Sequence, residues 1–411
     1  MKLLAVGIKN VIRNRRRTIL NVIALALGIF MMVFGLGWGQ GYHSYIFTAM
    51  RNFEAGDSQL LNEKYLAEKR RLPLDLSVVN TSSVISQLMN TGIVKEVSPR
   101  IDFSVRVSNR RENTRLLGRG ISPAEGDVTV IRKQVVEGKF FGASDRGVLL
   151  GEDLAKRMDL RIGDTLYLTA VDKYGAENFM SLPLTGIFKF GFPPIDKQVI
   201  FVDLESACSL LGMGDAATSI VIRFKDGVSL SSGPDILNAA FSGTGLKAYS
   251  WKRFAEATVS AVRSDMGSFY VFIVILYVMI IIGIYNSMSM TVRERIGEIG
   301  TLRAIGARRS NILRLLIIES CAISTIAIVV GYILAIPVIY YLSKVGIDIA
   351  ASMPDNIPVP FGERFYADFE PVQFFIAVGI GILSGVGGTI IPAMRASRLS
   401  VADSLTAKKH G

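Results

Sequence analysis

The segment 293–314 reads RERIGEIGTLRAIGARRSNILR, and its residue types suit adhesion to a partner better than bond-making. Ile296, Ile299, Leu302 and Ile305 recur at every third position. That spacing lays an apolar ridge along a helix, and Gly306 ends the helix before Arg308 opens the next apolar run. Arg293, Glu294, Glu298, Arg303 and Arg308 border the ridge. Such a helix suits a groove in a cytoplasmic partner, the ridge supplying adhesion and the charges register. The plainer reading is a solvated charged turn.

Groups for covalent chemistry are sparse. The two histidines, His43 and His410, lie near opposite ends of the sequence, which excludes a histidine-based triad or a multi-histidine zinc site. Cys208 and Cys321 form no CxxC pair, and Cys321 sits inside an apolar run, so no disulfide framework is available. No G-x-x-x-x-G-K-[ST] phosphate loop occurs, since the glycines at 243–247 lack its spacing. The chain is not read as an enzyme, and no catalytic, cofactor or metal site is expected in it.

The elements that must carry the docking segment are membrane helices. Of the 411 residues 50% are hydrophobic and 20% charged, with a mean hydropathy of +0.39, too apolar for an ordinary soluble chain. Four runs without charge, at 19–38, 266–290, 320–342 and 371–394, match a hydrocarbon core of about 30 Å. The expected fold is an α-helical membrane protein with four transmembrane helices and a large α+β extracytoplasmic domain between helices 1 and 2. Its parts are an interfacial amphipathic helix at 1–18, transmembrane helix 1 at 19–38, the outer domain at 39–265, helix 2 at 266–290, the cytoplasmic segment 291–314, helix 3 at 315–342, an outer loop at 343–370, helix 4 at 371–394 and a tail at 395–411. Leu4, Ile8, Val11 and Ile12 keep helical spacing among Lys2, Lys9, Arg13 and Arg16, the pattern of an interfacial helix. A cleaved signal peptide is the alternative for the first run, which is long for that role and is followed by no A-x-A site.

Lysines and arginines crowd 1–18, 291–314 and 395–411, against Glu294, Glu298 and Asp403 alone. Both termini and the docking segment are therefore cytoplasmic by the positive-inside rule. The pI of about 9.6 reports this topology and does not imply nucleic-acid binding.

Within 39–265 the pattern predicts a helix over 81–90 and a strand over 101–107, where Ile101, Phe103, Val105 and Val107 alternate with Asp102, Ser104 and Arg106. A second unit reads strand 219–224, helix 231–241 and strand 246–250. Strands near 148–150, 165–169, 182–188 and 199–202 form an inserted β-rich subdomain. Phe190, Phe192, Pro193 and Pro194 make an apolar loop for an outer partner or substrate, or else for the β-rich core. The G-x-x-x-G pairs Gly35/Gly39, Gly37/Gly41 and Gly381/Gly385 suit close helix packing. Glu319, at the edge of helix 3, reaches headgroups, Arg314 or a partner, or else serves as an intramembrane acid. Gly267 offers a bend near 263–268.

RERIGEIGTLRAIGARRSNILRLLIIES resembles the coupling segment of the MacB/FtsX-like permeases, the type VII ABC transporter superfamily that includes the lipoprotein-releasing LolC/LolE-type permeases. GVLLGEDLAKRMDLRIGDTLYL (147–168) and LTGIFKFGFPPIDKQVIFVDLESACSLLG (184–212) resemble the MacB-like periplasmic core domain. GRGISPAEGDVTVIRKQVVEGKFF, from Gly118, fits the same register, and the span order agrees. The resemblance implies a multi-pass permease of the bacterial inner membrane that pairs with a second permease subunit, as homo- or heterodimer. It further implies a separate ABC ATPase, which holds the ATP and Mg and is docked at the coupling segment, so that its closure is transmitted mechanically to the outer domains. Length and organisation are most similar to the lipoprotein-releasing type, which implies lipoproteins and a periplasmic carrier as partners. The stretch VDKYGAENFMS (171–181), polar, short and without proline, departs from the carrier-hooking loop of that type. MacB-like export of peptides or small molecules, and FtsX-like mechanical regulation of an extracytoplasmic hydrolase, are the alternatives.

Overall fold

The structure, a computed structural model, describes residues 15–109, 112–191, 193–348, 364–368 and 371–398. Residues 1–14 of the expected interfacial helix, most of the expected outer loop and the end of the tail lie outside them. The chain divides into two compact units, one holding residues 46–260 and the other the long helices.

Four helices are long and apolar enough to cross a membrane: span 1 (Arg15–Met50), span 2 (Glu256–Glu294), span 3 (Arg309–Val345) and span 4 (Pro371–Arg398). Span 1 continues past Trp38 and span 2 begins before 266, because helical hydrogen bonding does not stop where the apolar run stops. Span 2 also runs unbroken through Gly267, where an added Cβ would meet nothing within 4 Å.

Leu25, Ala26, Ile29 and Val33 of span 1 pack with Ala327, Ile328, Tyr332 and Ile339 of span 3 and Ala377 of span 4. Small residues permit the approach: a Cβ on Gly331 would stand 2.9 Å from the carbonyl oxygen of Ala26. Polar groups in the seam are satisfied internally. Ser320 Oγ donates to the Gly385 carbonyl at 2.6 Å, Thr389 Oγ1 lies 2.7 Å from Ser320 Oγ, and Tyr332 Oη donates to the Phe374 carbonyl at 2.7 Å. Span 2, by contrast, presents Val274, Ile275, Val278 and Met279 outward.

The other unit is built on a ten-stranded sheet. In chain order its strands are β1 (Ser58–Asn62), β2 (Val94–Ser108), β3 (Asn113–Ile121), β4 (Val135–Gly138), β5 (Val148–Gly151), β6 (Thr165–Val171), β7 (Glu177–Phe188), β8 (Val199–Asp203), β9 (Ser219–Phe224) and β10 (Leu246–Ser250). The sheet order is β10-β1-β9-β2-β3-β8-β5-β7-β4, and β6 pairs with both β2 and β7. Helices α1 (Thr81–Asn90) and α3 (Gly233–Ala240) close a core over β1, β2, β9 and β10 through Leu88, Leu237 and Phe241. A second core unites β2 with the β-rich strands and with α2 (Leu204–Leu211), which Asp203 caps by accepting from the Ser206 N–H at 2.8 Å.

β2 is the long member that serves both cores. Ile101, Phe103, Val105 and Val107 are buried as the alternation requires, and Phe103 lies over Gly118, its cross-strand neighbour on β3, where a Cβ would collide with the ring. Asp102 does not face water. It is 5% exposed and pairs with its cross-strand neighbour Arg119, whose Nε donates at 2.8 Å. Arg100 and Glu125 form a second buried pair, and Asp57 meets Arg223 at 3.1 Å and Arg51 at 3.5 Å.

Candidate coupling site

A short helix, Ile296–Ala304, follows span 2. The break falls at Arg295, whose backbone leaves the helical region (φ −102°, ψ 16°) while its side chain turns inward. Arg295 Nε donates to Glu298 at 2.9 Å, and Nη1 reaches both carboxylate oxygens of Glu319 at 2.9 and 3.2 Å. Burial opposes the Arg295 charge, but Glu298 and Glu319 outweigh it and hold the guanidinium above its ordinary range. At the other end Gly306 adopts φ +99°, a conformation that favours glycine. The Ala307 N–H bonds the Leu302 carbonyl at 3.0 Å, and span 3 starts after Arg308. Arg303 Nη1 donates to the Ser397 carbonyl of span 4 at 2.7 Å. The short helix is thereby tied to spans 3 and 4.

The expected single ridge is corrected here. Ile299 is 5% exposed and packs with Met288, Val292, Ile312, Leu316, Ala393 and Ala396, so it belongs to the core beneath the helix. Leu302 and Ile305 are 42% and 79% exposed, and Ile296 is half-buried. The cause is helical geometry: each step of three residues turns the face by about 60°, so four such residues fan over half the circumference. What the helix offers a partner is Leu302 and Ile305 flanked by the exposed Arg293, Glu294, Glu298 and Arg308.

The expected packing glycines stand at close approaches within the chain. A Cβ on Gly35 would lie 2.8 Å from the Phe269 ring of span 2, and one on Gly39 would lie 3.7 Å from it. Gly37 faces Ile339, and Gly41 faces the backbone at Tyr366. Gly381 admits Ile328, and Gly385 lies against Ser324.

Phe190 also needs correction as an outer contact. It is buried, its ring tilted 59° against that of Phe188 with centroids 5.0 Å apart, and its N–H donates to Asp196 at 2.9 Å. Phe192 and the side chain of Pro193 lie outside the described residues. The 171–181 stretch, polar by composition, displays Tyr174 and Phe179, 78% and 84% exposed, at and beside the turn joining β6 to β7. The exposure of Phe179, opposite Thr169, follows from the register of β6 against β7, and that of Tyr174 from its place in the turn, neither of which hydropathy alone carries. Arg295 is the other residue that sequence reasoning missed. Its spacing from Glu298 is a helical i,i+3 pair and was the available signal. Among the described residues no group of three or more His, Cys, Asp or Glu could hold a metal ion.

Four spans, an inserted sheet domain and a tethered surface helix define a membrane permease of the ABC class. The MacB-like periplasmic core domain matches residues 18–235, and the FtsX-like permease C-terminal domain matches 270–401. The chain belongs to the MacB/FtsX-like family of ABC transporter permeases. It is 22% identical over 406 residues to the macrolide export ATP-binding/permease protein MacB of Bordetella avium, a match covering 95% of this chain but 58% of that protein. It is also 22% identical over 421 residues to the lipoprotein-releasing system transmembrane protein LolE of Haemophilus influenzae, covering 94% of this chain and 93% of that one. The periplasmic region of MacB from Actinobacillus actinomycetemcomitans aligns with 52% of this chain and 97% of its own at 14% identity, with a TM-score of 0.39.

Proposed function

We propose that this chain is the membrane subunit of an inner-membrane ABC transporter that releases lipoproteins at the outer face. A separate ATPase, holding ATP and Mg, docks on the 296–304 helix. Its closure pulls on spans 1 and 2, which lead to the sheet domain, within a dimer of permease subunits that is either homo- or heteromeric. The termini and the coupling helix lie on the cytoplasmic side, where the basic residues gather.

The observation that carries this reading is the division of labour on the short helix. Ile299 and Arg295 anchor it inward while Leu302 and Ile305 project outward, so force applied to the exposed pair is delivered to spans 3 and 4 and, through Met288 and Val292, to span 2. Coverage of nearly the whole LolE relative supports lipoprotein release, as does the exposed Tyr174 and Phe179 pair, which suits contact with an apolar cargo or its carrier. MacB-like export is the second reading, favoured by a relative of equal identity.

The test is a Leu302→Asp/Ile305→Asp variant of the complex purified from its native membrane. The ATPase should detach and lipoproteins should accumulate in the inner membrane, while the chain still inserts and melts as wild type. Full ATPase retention would reject docking at this helix, and unchanged lipoprotein sorting despite detachment would reject the cargo.

A further inference from the structure

A cleft of about 710 Å³ opens between the end of span 2 and the end of span 4, beside the root of the coupling helix. Its lining mixes apolar and polar groups at every depth. Tyr285, Asn286, Ser289, Met290 and Pro392 come from the uncharged runs of the two spans, whereas Arg293 and Arg395 stand just beyond those runs. From Tyr285 to Arg293 the helix rises about 12 Å, enough to reach from the hydrocarbon edge through a headgroup layer roughly 5–8 Å thick. Arg395 Nη1 donates to Tyr285 Oη at 3.1 Å, which places its guanidinium over the cleft. Among the described residues neither Arg293 nor Arg395 is paired with a carboxylate, and Glu294 is the one acid of the lining.

We infer that this cleft binds an anionic phospholipid of the surrounding leaflet. The phosphate bridges Arg293 and Arg395, the ester region lies beside Tyr285 and Asn286, and the acyl chains leave below them past Ile282, which is exposed. Two guanidiniums against one carboxylate select an anionic over a zwitterionic headgroup. Met290, Val292, Pro392 and Ala396 give the cleft apolar walls that a lipid covers and free phosphate does not. A docked protein would instead have to bury its own surface at the depth of the ester region.

The experiment uses the full chain in detergent, stripped of native lipid and titrated with phosphatidylglycerol or phosphatidylcholine, with bound lipid counted by native mass spectrometry. Wild type should prefer phosphatidylglycerol. Arg293→Gln/Arg395→Gln should lose that preference by roughly ten- to thirtyfold, as expected for two arginines near a lipid surface. Arg293→Lys/Arg395→Lys should keep most of it at an unchanged melting temperature, and Arg263→Gln, near the other end of span 2, should leave it intact. Equal retention of the two lipids, a Gln variant indistinguishable from wild type, or displacement by millimolar inorganic phosphate would overturn the assignment. So would a Met290→Cys crosslinker that reaches another protein chain and no lipid.

Discussion

Arg295 Nη1 contacts both carboxylate oxygens of Glu319, at 2.9 and 3.2 Å, and so fastens the root of the coupling helix to span 3. The carboxylate is buried and the guanidinium nearly so, hence removing one partner leaves a charge without its counterion. Glu319→Gln should destabilise the chain in detergent by about 2 to 3 kcal/mol, whereas Arg295→Met with Glu319→Leu should recover most of the melting temperature, since apolar replacements often match a buried pair. If the pair transmits force, the ATPase bound to the double variant should nevertheless hydrolyse ATP without transport. Transport equal to wild type in the double variant would make the pair structural only.

Ile299 and Leu302 differ by one helical step yet should fail in different ways. Ile299→Asp places a charge among Met288, Val292 and Leu316 and should lower the melting temperature of the chain alone. Leu302→Asp should leave the stability within about 0.5 kcal/mol of wild type, as exposed sites do. Matching thermal losses in the two variants would contradict the orientation of the helix.

Strands at Ser219–Phe224 and Leu246–Ser250 and the helix at Thr81–Asn90 have the bounds that alternation and turn residues indicate, because each begins or ends at glycine, serine or asparagine and has one apolar face. β1 and β3 leave no such trace: SQLLN does not alternate, and β3 carries glycines at 118 and 120 that admit Phe103 and Ala207 on one face. The errors at the site share one origin. Spacing along one element does not say what the next element supplies. Asp102 reads as solvent-facing until the β2–β3 register brings Arg119 opposite it. Glu319 reads as a neighbour of Arg314 on its own helix until the break at Arg295 turns a different guanidinium toward it.

Gly385 gives a prediction about the span 3–span 4 seam. A Cβ there overlaps the hydroxyl of Ser324, and the Gly385 carbonyl accepts from Ser320. Gly385→Ala should cost about 1 to 3 kcal/mol by overpacking. Ser324→Ala in the same chain should restore part of the loss, because removing the hydroxyl relieves the overlap. An additive or worsened loss in the double variant, measured by thermal unfolding in detergent, would exclude the contact.

The Asp102–Arg119 pair joins β2 to β3 where both cores meet, and its pH response is fixed in sign. Burial alone would raise the Asp102 pKa, but Arg119, Arg100 and Lys69 outweigh it and hold the carboxyl below its ordinary 3.8. A carboxyl depressed by folding contributes stability that is complete above its unfolded value and is lost as pH falls through the folded one. Asp102→Asn should therefore cost about 3 kcal/mol near neutrality, since it removes the buried carboxylate that accepts from Arg119 Nε, and the deficit should persist down to about pH 4. Below that it should shrink, because the unfolded wild-type chain then takes up a proton at Asp102 that the folded chain resists, which lowers wild-type stability toward that of the variant. Trp251 is buried in the sheet unit and reports its unfolding once Trp38, the other tryptophan, is replaced by phenylalanine. Urea titrations of the full chain at pH 7 and near pH 2.5 should show the gap between Asp102→Asn and wild type narrowing at the lower pH. A gap of equal size at both would mean that the pair contributes nothing through its charge.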